Sequence, residues 1–361
     1  MNKKTVWTYL SPLASMLLNL LLAYVVYFIA RMVFLAENWN FYADNLTWPH
    51  FLEMMRGGLM FDTTAILYTN ALWIVMVLFP LHWKENKTYH NICRWVFVVV
   101  NILTLAVNLV DTVYFRYSMR RTTTTIFQEF QNENNLGGIF WTEMVSHWYF
   151  FVLAGLVAWG LWKLYVKSDV SELKKRLPVY YPVMLVSLLG FVPFCVAGMR
   201  GGWTRDIRPI TVSNANNYCD RPTETGLVLN TPFSLIRTIG KNNFEVIAYY
   251  DAKQLEQIYT PIHQPQCRHP FMKKNVVVII IESFGREYIG TYNQDAGYPS
   301  QTPFTDSLLA HGALTYRYSY CNGRKSIDGM PSILSSILLF VEPYFLSAYS
   351  VNDVSGLADW L

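Results

Sequence analysis

The sequence predicts a membrane domain of five transmembrane helices, followed by the start of an α/β domain. Hydrophobic residues make up 52% of the 361 positions and charged residues only 15%, whereas a soluble domain carries about 25% charge. The apolar excess lies in the first 198 residues, and a continuous β-branched run appears only after residue 274. We therefore divide the chain into a transmembrane domain at 1–198, an extracytoplasmic linker with an amphipathic helix at 199–273, and the beginning of an α/β domain at 274–361.

Charge and cysteine usage exclude two functional classes. The net charge is only +4 and no long basic run occurs, whereas a nucleic-acid-binding domain normally carries a basic stripe. The five cysteines form no CxxC pair and have no zinc-finger spacing, so the sequence contains no zinc module.

Five segments are long and apolar enough to cross a bilayer, which takes about 20 helical residues. They cover approximately residues 10–30, 59–81, 95–114, 148–166 and 179–198. The first is not a cleavable signal peptide, because its apolar run exceeds the roughly 7–15 residues of such a peptide. Asp62, near the start of the second segment, is either an intramembrane functional residue or a helix-packing residue.

Lysine and arginine are more frequent in alternate loops, namely before the first segment, between the second and third, and after the fourth. The positive-inside rule then predicts a multi-pass protein of the inner or plasma membrane, with a cytoplasmic N-terminus and an extracytoplasmic C-terminal domain. Within the linker, residues 230–239 form a short amphipathic helix with Asn230 or Thr231 as its N-cap. We expect this helix to lie against the membrane surface or the next domain.

The run Asn275–Ile281 is typical of a strand buried on both faces of a parallel sheet. Glu282 follows it directly, and ligands of open α/β sheets bind at the carboxyl ends of strands. Glu282 is therefore a candidate ligand-binding carboxylate, although a solvated residue at the end of a strand has the same pattern. Residues 302–312 predict a short helix, and residues 313–320 predict a second strand.

Ser326 follows the second predicted strand and lies at or just before a helix N-terminus. Free N–H groups and the positive end of the helix dipole favour an anion there, and Arg324 and Lys325 add two cations. The alternative is an ordinary serine N-cap beside a solvated basic pair.

This order of parts resembles the start of the alkaline phosphatase/sulfatase superfamily catalytic domain. It combines a strand ending in Glu-Ser, the segment TPFTDSLLAHG, and a Gly-Arg-Lys-Ser turn into a helix. Five spans followed by an outward-facing domain look like the lipoteichoic acid synthase-like branch. The specific part of the resemblance covers 275–339.

The resemblance implies a metal-dependent enzyme that acts on a phospholipid head group and modifies a cell-envelope polymer. Glu282 matches the metal-binding acid of the first strand, and Ser326 matches the nucleophile, which also binds the metal. Arg324 and Lys325 would bind the substrate phosphate. The implied cation is Mn²⁺ or Mg²⁺. Zn²⁺ is the alternative, because it serves in related phosphoethanolamine transferases.

The chain also departs from the family pattern. The superfamily completes its metal site with a downstream Asp-His pair, which is not found up to Leu361, so we expect this truncated chain to be inactive by itself. Formylglycine-type sulfatase chemistry is disfavoured, because neither Cys321 nor Ser326 begins the required C/S-x-P/A-x-R motif. Two alternatives stay open, namely a phosphodiester or sulfatase-like hydrolase of the same superfamily and a non-catalytic membrane scaffold.

Overall fold

The computed structural model describes most of the chain. The residues that it does not describe are 1–2, 81–85, 127–135, 169–176, 203–208, 241–248, 260–272, 274, 317, 324, 340–343, 348, 351 and 361. Contacts divide the chain into two compact units. The first unit comprises Met1–Asn243 and Phe345–Ser355, and the second comprises Phe244–Tyr344 and Gly356–Leu361.

The first unit is built from helices. They are α1 (Lys3–Glu37), α2 (Trp48–Thr69), α3 (Ala71–Leu78), α4 (Lys87–Ser118), α5 (Leu136–Ser146), α6 (Tyr149–Leu164), α7 (Leu177–Arg200), α8 (Thr225–Val228) and α9 (Thr231–Thr238). Large aromatic side chains fill the interior, among them Phe34, Phe61, Trp73, Phe97 and Phe115. Because many other apolar side chains on the same helices are exposed, the unit has the character of a helix bundle whose outer surface faces lipid.

Three helical segments are long and apolar enough to span a bilayer, namely Ser11–Glu37, Lys87–Ser118 and Pro178–Arg200. Helices α2 and α3 make a fourth candidate if they form one broken span, since they meet at a bend of 63°. At 16 residues, α6 is shorter than the usual spanning length. The described structure therefore supports three or four of the five predicted spans.

Asn70 lies at the bend between α2 and α3. Its side chain donates to the carbonyl of Ile66 at 3.1 Å and accepts a 2.9 Å bond from Asn101 on α4. The bend interrupts the helical hydrogen-bond ladder, and the two amides meet there within the bundle. Hydrogen bonds between buried polar side chains are a common way of joining membrane helices.

The first part of the predicted linker packs with the helices of the first unit. Leu227, Val228, Leu229 and Phe233 are buried in the core of the first unit, and the Phe233 ring packs edge-to-face on Phe61 with 4.8 Å between centroids. Since burial of these apolar side chains stabilises the contact, α9 packs on α2 and α4. The contact-based division of the chain falls after Asn243, within the predicted linker at 199–273.

The second unit contains α10 (Ala252–Ile258), α11 (Pro303–Ala310), α12 (Ser326–Ser335) and short 3₁₀ turns. The sequence prediction of a helix that begins at Pro303 is confirmed. The two predicted strands do not form in the described part of this unit, where no β-ladder is present. Val277 is 80% exposed and Tyr320 is 91% exposed, so neither run has the pairing and cover that a buried strand requires. A parallel sheet is therefore not part of the described structure.

Candidate functional site

Ser326 is the first residue of α12, in agreement with the sequence prediction of a helix N-terminus. Both Ser326 and the preceding Lys325 are exposed. Lys325 is the N-cap with extended backbone angles, and its N–H donates a 3.1 Å hydrogen bond to Asp328 Oδ2. The Ser326 hydroxyl is therefore accessible at the start of a capped helix.

The turn before α12 requires a glycine. Gly323 has φ +94°, a left-handed conformation that L side chains rarely adopt. A Cβ built there would lie 2.2 Å from the Cβ of Asp328. The Asn-Gly pair before the basic residues thus lets the chain pass close to Asp328 as it enters the helix.

Asp328 affects the predicted anion site. Its carboxylate is buried and occupies the third position of α12, where a negative charge interacts favourably with the helix dipole. A phosphate approaching Ser326 would meet this carboxylate as a like charge beside the same helix end. Lys325 contributes positive charge near Ser326, and Arg324 lies outside the described residues.

Glu282 is exposed and follows the apolar run, as its position in the sequence predicts. Its Oε1 accepts a 3.3 Å hydrogen bond from the hydroxyl of Ser283, which itself has φ +55°. A left-handed non-glycine residue costs of order 1–3 kcal/mol, so the chain makes a strained turn directly after the carboxylate.

The described residues do not assemble the predicted metal site. No group of three or more His, Cys, Asp or Glu side chains suited to a metal ion occurs among them. No hydrogen bond joins Glu282 to Ser326 in the described part of the second unit, where the Glu282 carboxylate bonds to its neighbour Ser283. A cation held by Glu282 and Ser326 alone would need further ligands, so the described residues do not complete a site for Mn²⁺, Mg²⁺ or Zn²⁺.

Asp306 organises a second polar cluster in the same unit. Its Oδ1 accepts from the N–H and the hydroxyl of Thr291 at 2.8 and 2.7 Å, and its Oδ2 accepts from the Ser300 hydroxyl. These hydrogen bonds, that from Ser300 first, hold the pKa of Asp306 below its ordinary value. The cluster attaches α11 to the turn at Gly290–Tyr292 and therefore has a structural role.

The first unit contains a larger polar assembly that we call the buried polar centre. It consists of Arg31, Asp62, Asn108, Asp111, Arg121, Asn230 and Thr231. Its two aspartates and two arginines balance in charge, which removes most of the cost of burying each charge alone.

The first half of the centre joins α1, α2 and α9. Arg31 Nη2 donates to Asp62 Oδ1 at 2.5 Å, and Arg31 Nη1 donates to the carbonyl of Val228 at 2.7 Å. Asn230 Nδ2 donates to the same Asp62 oxygen at 2.9 Å, while Asn230 Oδ1 accepts from the N–H of Phe233 at 2.9 Å. Asn230 is thus the predicted N-cap of α9 and at the same time a ligand of the buried carboxylate.

The second half joins α4 to the same helix start. Arg121 Nη1 and the Thr231 hydroxyl donate to Asp111 Oδ2 at 3.1 and 2.7 Å. Arg121 Nε also donates to the carbonyl of Gly226, and its guanidinium lies 3.7 Å from the Phe34 ring centroid. The N–H of Thr231 donates to Asn108 Oδ1 at 3.1 Å. Both halves therefore converge on residues 226–231 and fix where α9 begins.

A histidine joins the neighbouring segment to α2. His50 Nε2 lies 3.0 Å from Glu224 Oε2, and that oxygen also accepts from the N–H groups of Asp220 and Arg221. Glu224 is almost fully buried. This contact holds the short 3₁₀ turn before α8 against the bundle.

Comparison with known proteins identifies no family. No protein-family description matches the chain, no curated protein is similar to it in sequence, and no solved structure matches it. The alkaline phosphatase/sulfatase resemblance thus stays a prediction that rests on the residues quoted for it.

Sequence reasoning missed most of the buried polar centre. The sequence alone assigns no role to Arg31, Arg121 or Asp111. A usable signal was present, because Asn101, Thr104, Asn108 and Asp111 recur every three or four residues along one face of an apolar helix. Asp62 proves to pack helices together, which is one of its two predicted roles.

Proposed function

We propose that this chain forms the membrane-embedded part and the nucleophile-bearing segment of a phospho-group transferase of the alkaline phosphatase/sulfatase superfamily. Ser326 is the proposed nucleophile. The observation that carries the proposal is the position of this exposed hydroxyl at the first residue of α12, directly after Lys325, within the segment whose motif order matches the superfamily.

In the proposed reaction, Ser326 Oγ attacks the phosphorus of a phospholipid head group. A bond forms between Oγ and phosphorus, the bond from phosphorus to the diacylglycerol oxygen breaks, and the hydroxyl proton ends on that oxygen. A hydroxyl oxygen of a cell-envelope polymer then attacks the same phosphorus, the bond from phosphorus to Ser326 Oγ breaks, and the proton of the acceptor hydroxyl ends on Oγ. The covalent intermediate thus splits one difficult transfer into two steps. Lys325 offsets part of the negative charge on the phosphoryl group.

Glu282 and Arg324 keep their proposed family roles as a metal ligand and a phosphate-binding cation. The superfamily cation would supply Lewis acidity, but the described residues do not complete a site for it, and no step is assigned to a metal. We further propose that the second unit carries the start of the family's α/β domain, whose sheet would need strand partners outside the described residues, and that it faces the extracytoplasmic side, with the N-terminus in the cytoplasm.

A transfer assay in membranes from the source cells tests the proposal. The membranes receive phosphatidylglycerol or phosphatidylethanolamine labelled in the head group, and label is followed into polymer. The variant Ser326→Ala is compared with Ser332→Ala, which removes a hydroxyl from the same helix. We expect a loss of at least about 100-fold for the first and little change for the second.

Transfer that is equal in wild type and Ser326→Ala would overturn the proposal. Label released into water rather than polymer, and lost with Ser326→Ala, would identify a hydrolase with the same nucleophile. This design separates the two reactions because they share Ser326 and differ only in the acceptor.

A specific observation also favours the scaffold alternative. Six consecutive apolar side chains at 276–281 are exposed, as are Tyr316, Tyr318 and Tyr320, and large exposed apolar patches are typical of protein-binding surfaces. A non-catalytic scaffold would bind a protein partner there. In that case Val277→Ser with Ile279→Ser would reduce partner recovery in pull-down from native membranes, and Ser326→Ala would leave it unchanged.

A further inference from the structure

The first unit contains an open groove that the proposed function does not use. It has a volume of about 490 Å³ and lies between α1, α2 and α7, within the range of about 300–1,000 Å³ typical of ligand sites. We call it the interhelical groove, and its walls include Leu17, Leu21, Tyr24, Thr63, Phe191 and Phe194.

The walls of the interhelical groove suit an apolar occupant. Tyr24 and Thr63 are the polar side chains along it, and their hydroxyls bond to each other at 2.7 Å. The Thr63 hydroxyl also donates to the carbonyl of Leu59 at 2.7 Å. Because these groups are already engaged within the protein, the groove offers little to hold ordered water.

The position of the groove indicates where the occupant comes from. Two of its walls, α1 and α7, include segments long and apolar enough to span a bilayer, and Leu17, Leu21 and Phe194 at its rim are exposed. In a bilayer such a surface contacts hydrocarbon chains. The opening is therefore directed to lipid rather than to water.

Glycines shape one end of the groove. A Cβ at Gly198 would lie 2.4 Å from Leu67 Cδ1 and 3.2 Å from Thr63 Cγ2, so a larger residue would displace the Leu67 side chain where α7 approaches α2. Gly201 and Gly202 continue this end of the wall. The approach is held by the Thr64 hydroxyl, which donates to the carbonyl of Gly198 at 2.9 Å.

Basic residues lie at the same end. Arg200 is the last residue of α7, next to Gly201 in the wall. Arg237 Nη2 donates to the carbonyl of Met199 at 2.7 Å, which brings a second guanidinium to the end of this helix. Guanidinium groups at a membrane boundary favour a phosphate, with which they form charge-assisted hydrogen bonds.

We propose that the interhelical groove binds one acyl chain of a phospholipid, with the lipid phosphate at the Arg200 and Arg237 end. The apolar walls, the mutually bonded hydroxyls and the basic end together match this amphipathic ligand. The inference does not depend on the nucleophile, since a tightly bound phospholipid can serve as donor or as a structural lipid.

Photocrosslinking tests the site in the full-length protein. The protein is reconstituted into phosphatidylcholine vesicles that contain phosphatidylglycerol with a diazirine on one acyl chain, and crosslinked residues are mapped by mass spectrometry. Leu17→Trp, which fills the groove, is compared with Leu18→Trp. The two leucines are 49% and 50% exposed on the same helix, but only Leu17 lines the groove.

We expect crosslinks in wild type to concentrate on Tyr24, Thr63 and Phe191 rather than on Leu18. Leu17→Trp should reduce them at least about threefold, whereas Leu18→Trp should leave them unchanged; such a reduction corresponds to about 0.6 kcal/mol of binding free energy. The proposal would be overturned if the crosslinking yield at each residue followed side-chain exposure alone, or if the yield fell equally in Leu17→Trp and Leu18→Trp. If a variant fails to fold, the distribution of crosslinks in the wild-type protein, between groove residues and Leu18, tests the proposal by itself.

A second probe tests the phosphate end. Diacylglycerol with the same diazirine chain lacks the phosphate, so we expect it to crosslink several-fold less than the phospholipid. Equal crosslinking would contradict the role of Arg200 and Arg237. None of these measurements depends on Ser326. A negative crosslinking result is therefore distinguishable from failure of the transferase proposal.

Discussion

Asn230 Nδ2 donates a 2.9 Å hydrogen bond to Asp62 Oδ1, although the two residues are 168 positions apart in the sequence. The same asparagine caps α9 through its other side-chain atom. One side chain therefore connects the start of a helix that follows the last span to a carboxylate on α2. This bond, with the Arg31 ion pair beside it, is why the segment at 225–238 belongs to the bundle.

The Arg31–Asp62 pair should contribute strongly to stability. Asp62→Asn leaves a buried guanidinium without its charge partner, which costs about 3 kcal/mol and lowers the Tm by about 6–12 °C. The matched control is Glu53→Gln, which removes an exposed pair with Arg56 and should shift the Tm by about 2 °C or less. Thermal unfolding of the detergent-solubilised protein measures both, and equal shifts would contradict the assigned role of Asp62.

Replacing Gly58 by alanine should destabilise the protein. A Cβ there would lie 2.6 Å from Arg31 Cζ, so Gly58→Ala forces the guanidinium away from Asp62. We expect a loss of about 1–3 kcal/mol of unfolding free energy. Gly155→Ala on α6 meets open space and should be neutral or stabilising by about 0.5–1 kcal/mol. The same unfolding measurement compares them, and a Gly58→Ala protein as stable as Gly155→Ala would refute the close packing.

Cys219 should be chemically inert. Burial, followed by the charges of Glu224 and Asp220, raises the pKa of its thiol to about 12. At pH 8 the thiol is then almost entirely protonated. Cys321 is exposed, so maleimide labelling of single-cysteine variants should be much faster at Cys321. Comparable labelling rates at the two positions would show that the half-buried Cys219 thiol is not shielded.

The hydrogen bonds of the Asp306 cluster should weaken at low pH. Because the pKa of Asp306 is lowered in the folded chain, its stabilising hydrogen bonds are present above the ordinary carboxyl pKa of about 4 and are lost as the pH falls through the lower folded value. Amide exchange at Thr291, corrected for the intrinsic pH dependence, should show protection that declines below about pH 4. In Asp306→Asn this decline should be absent, and its persistence there would assign the effect to another group.

The sequence predicted the helical, apolar character of the first unit well, because the length of an apolar run directly limits what can span a bilayer. It predicted an N-cap of α9 at Asn230 or Thr231 and the start of α11 after Thr302 for a similar reason, since caps and prolines act locally. The 63° bend at Asn70 was beyond such reasoning, because no proline or glycine marks it and its partner Asn101 comes from another helix.

The candidate site was less predictable. The position of Ser326 at a helix start follows from local sequence, whereas the buried carboxylate of Asp328 beside it depends on the turn at Gly323. The predicted strand at Asn275–Ile281 illustrates the limit most clearly. A β-branched run favours a strand only when another strand pairs with it, and the described residues supply no such partner.

The central claim is that Ser326 forms a covalent phospho-intermediate, and mass spectrometry of the protein from native membranes tests it most directly. Membranes are incubated with head-group-labelled phospholipid and quenched in acid, and the peptide that trypsin releases after Lys325 is analysed. The account predicts the mass of a phospho-head group on Ser326, and no such mass in Ser326→Ala. An unmodified Ser326 in membranes that actively transfer the label, or a modification that persists in Ser326→Ala, would contradict it.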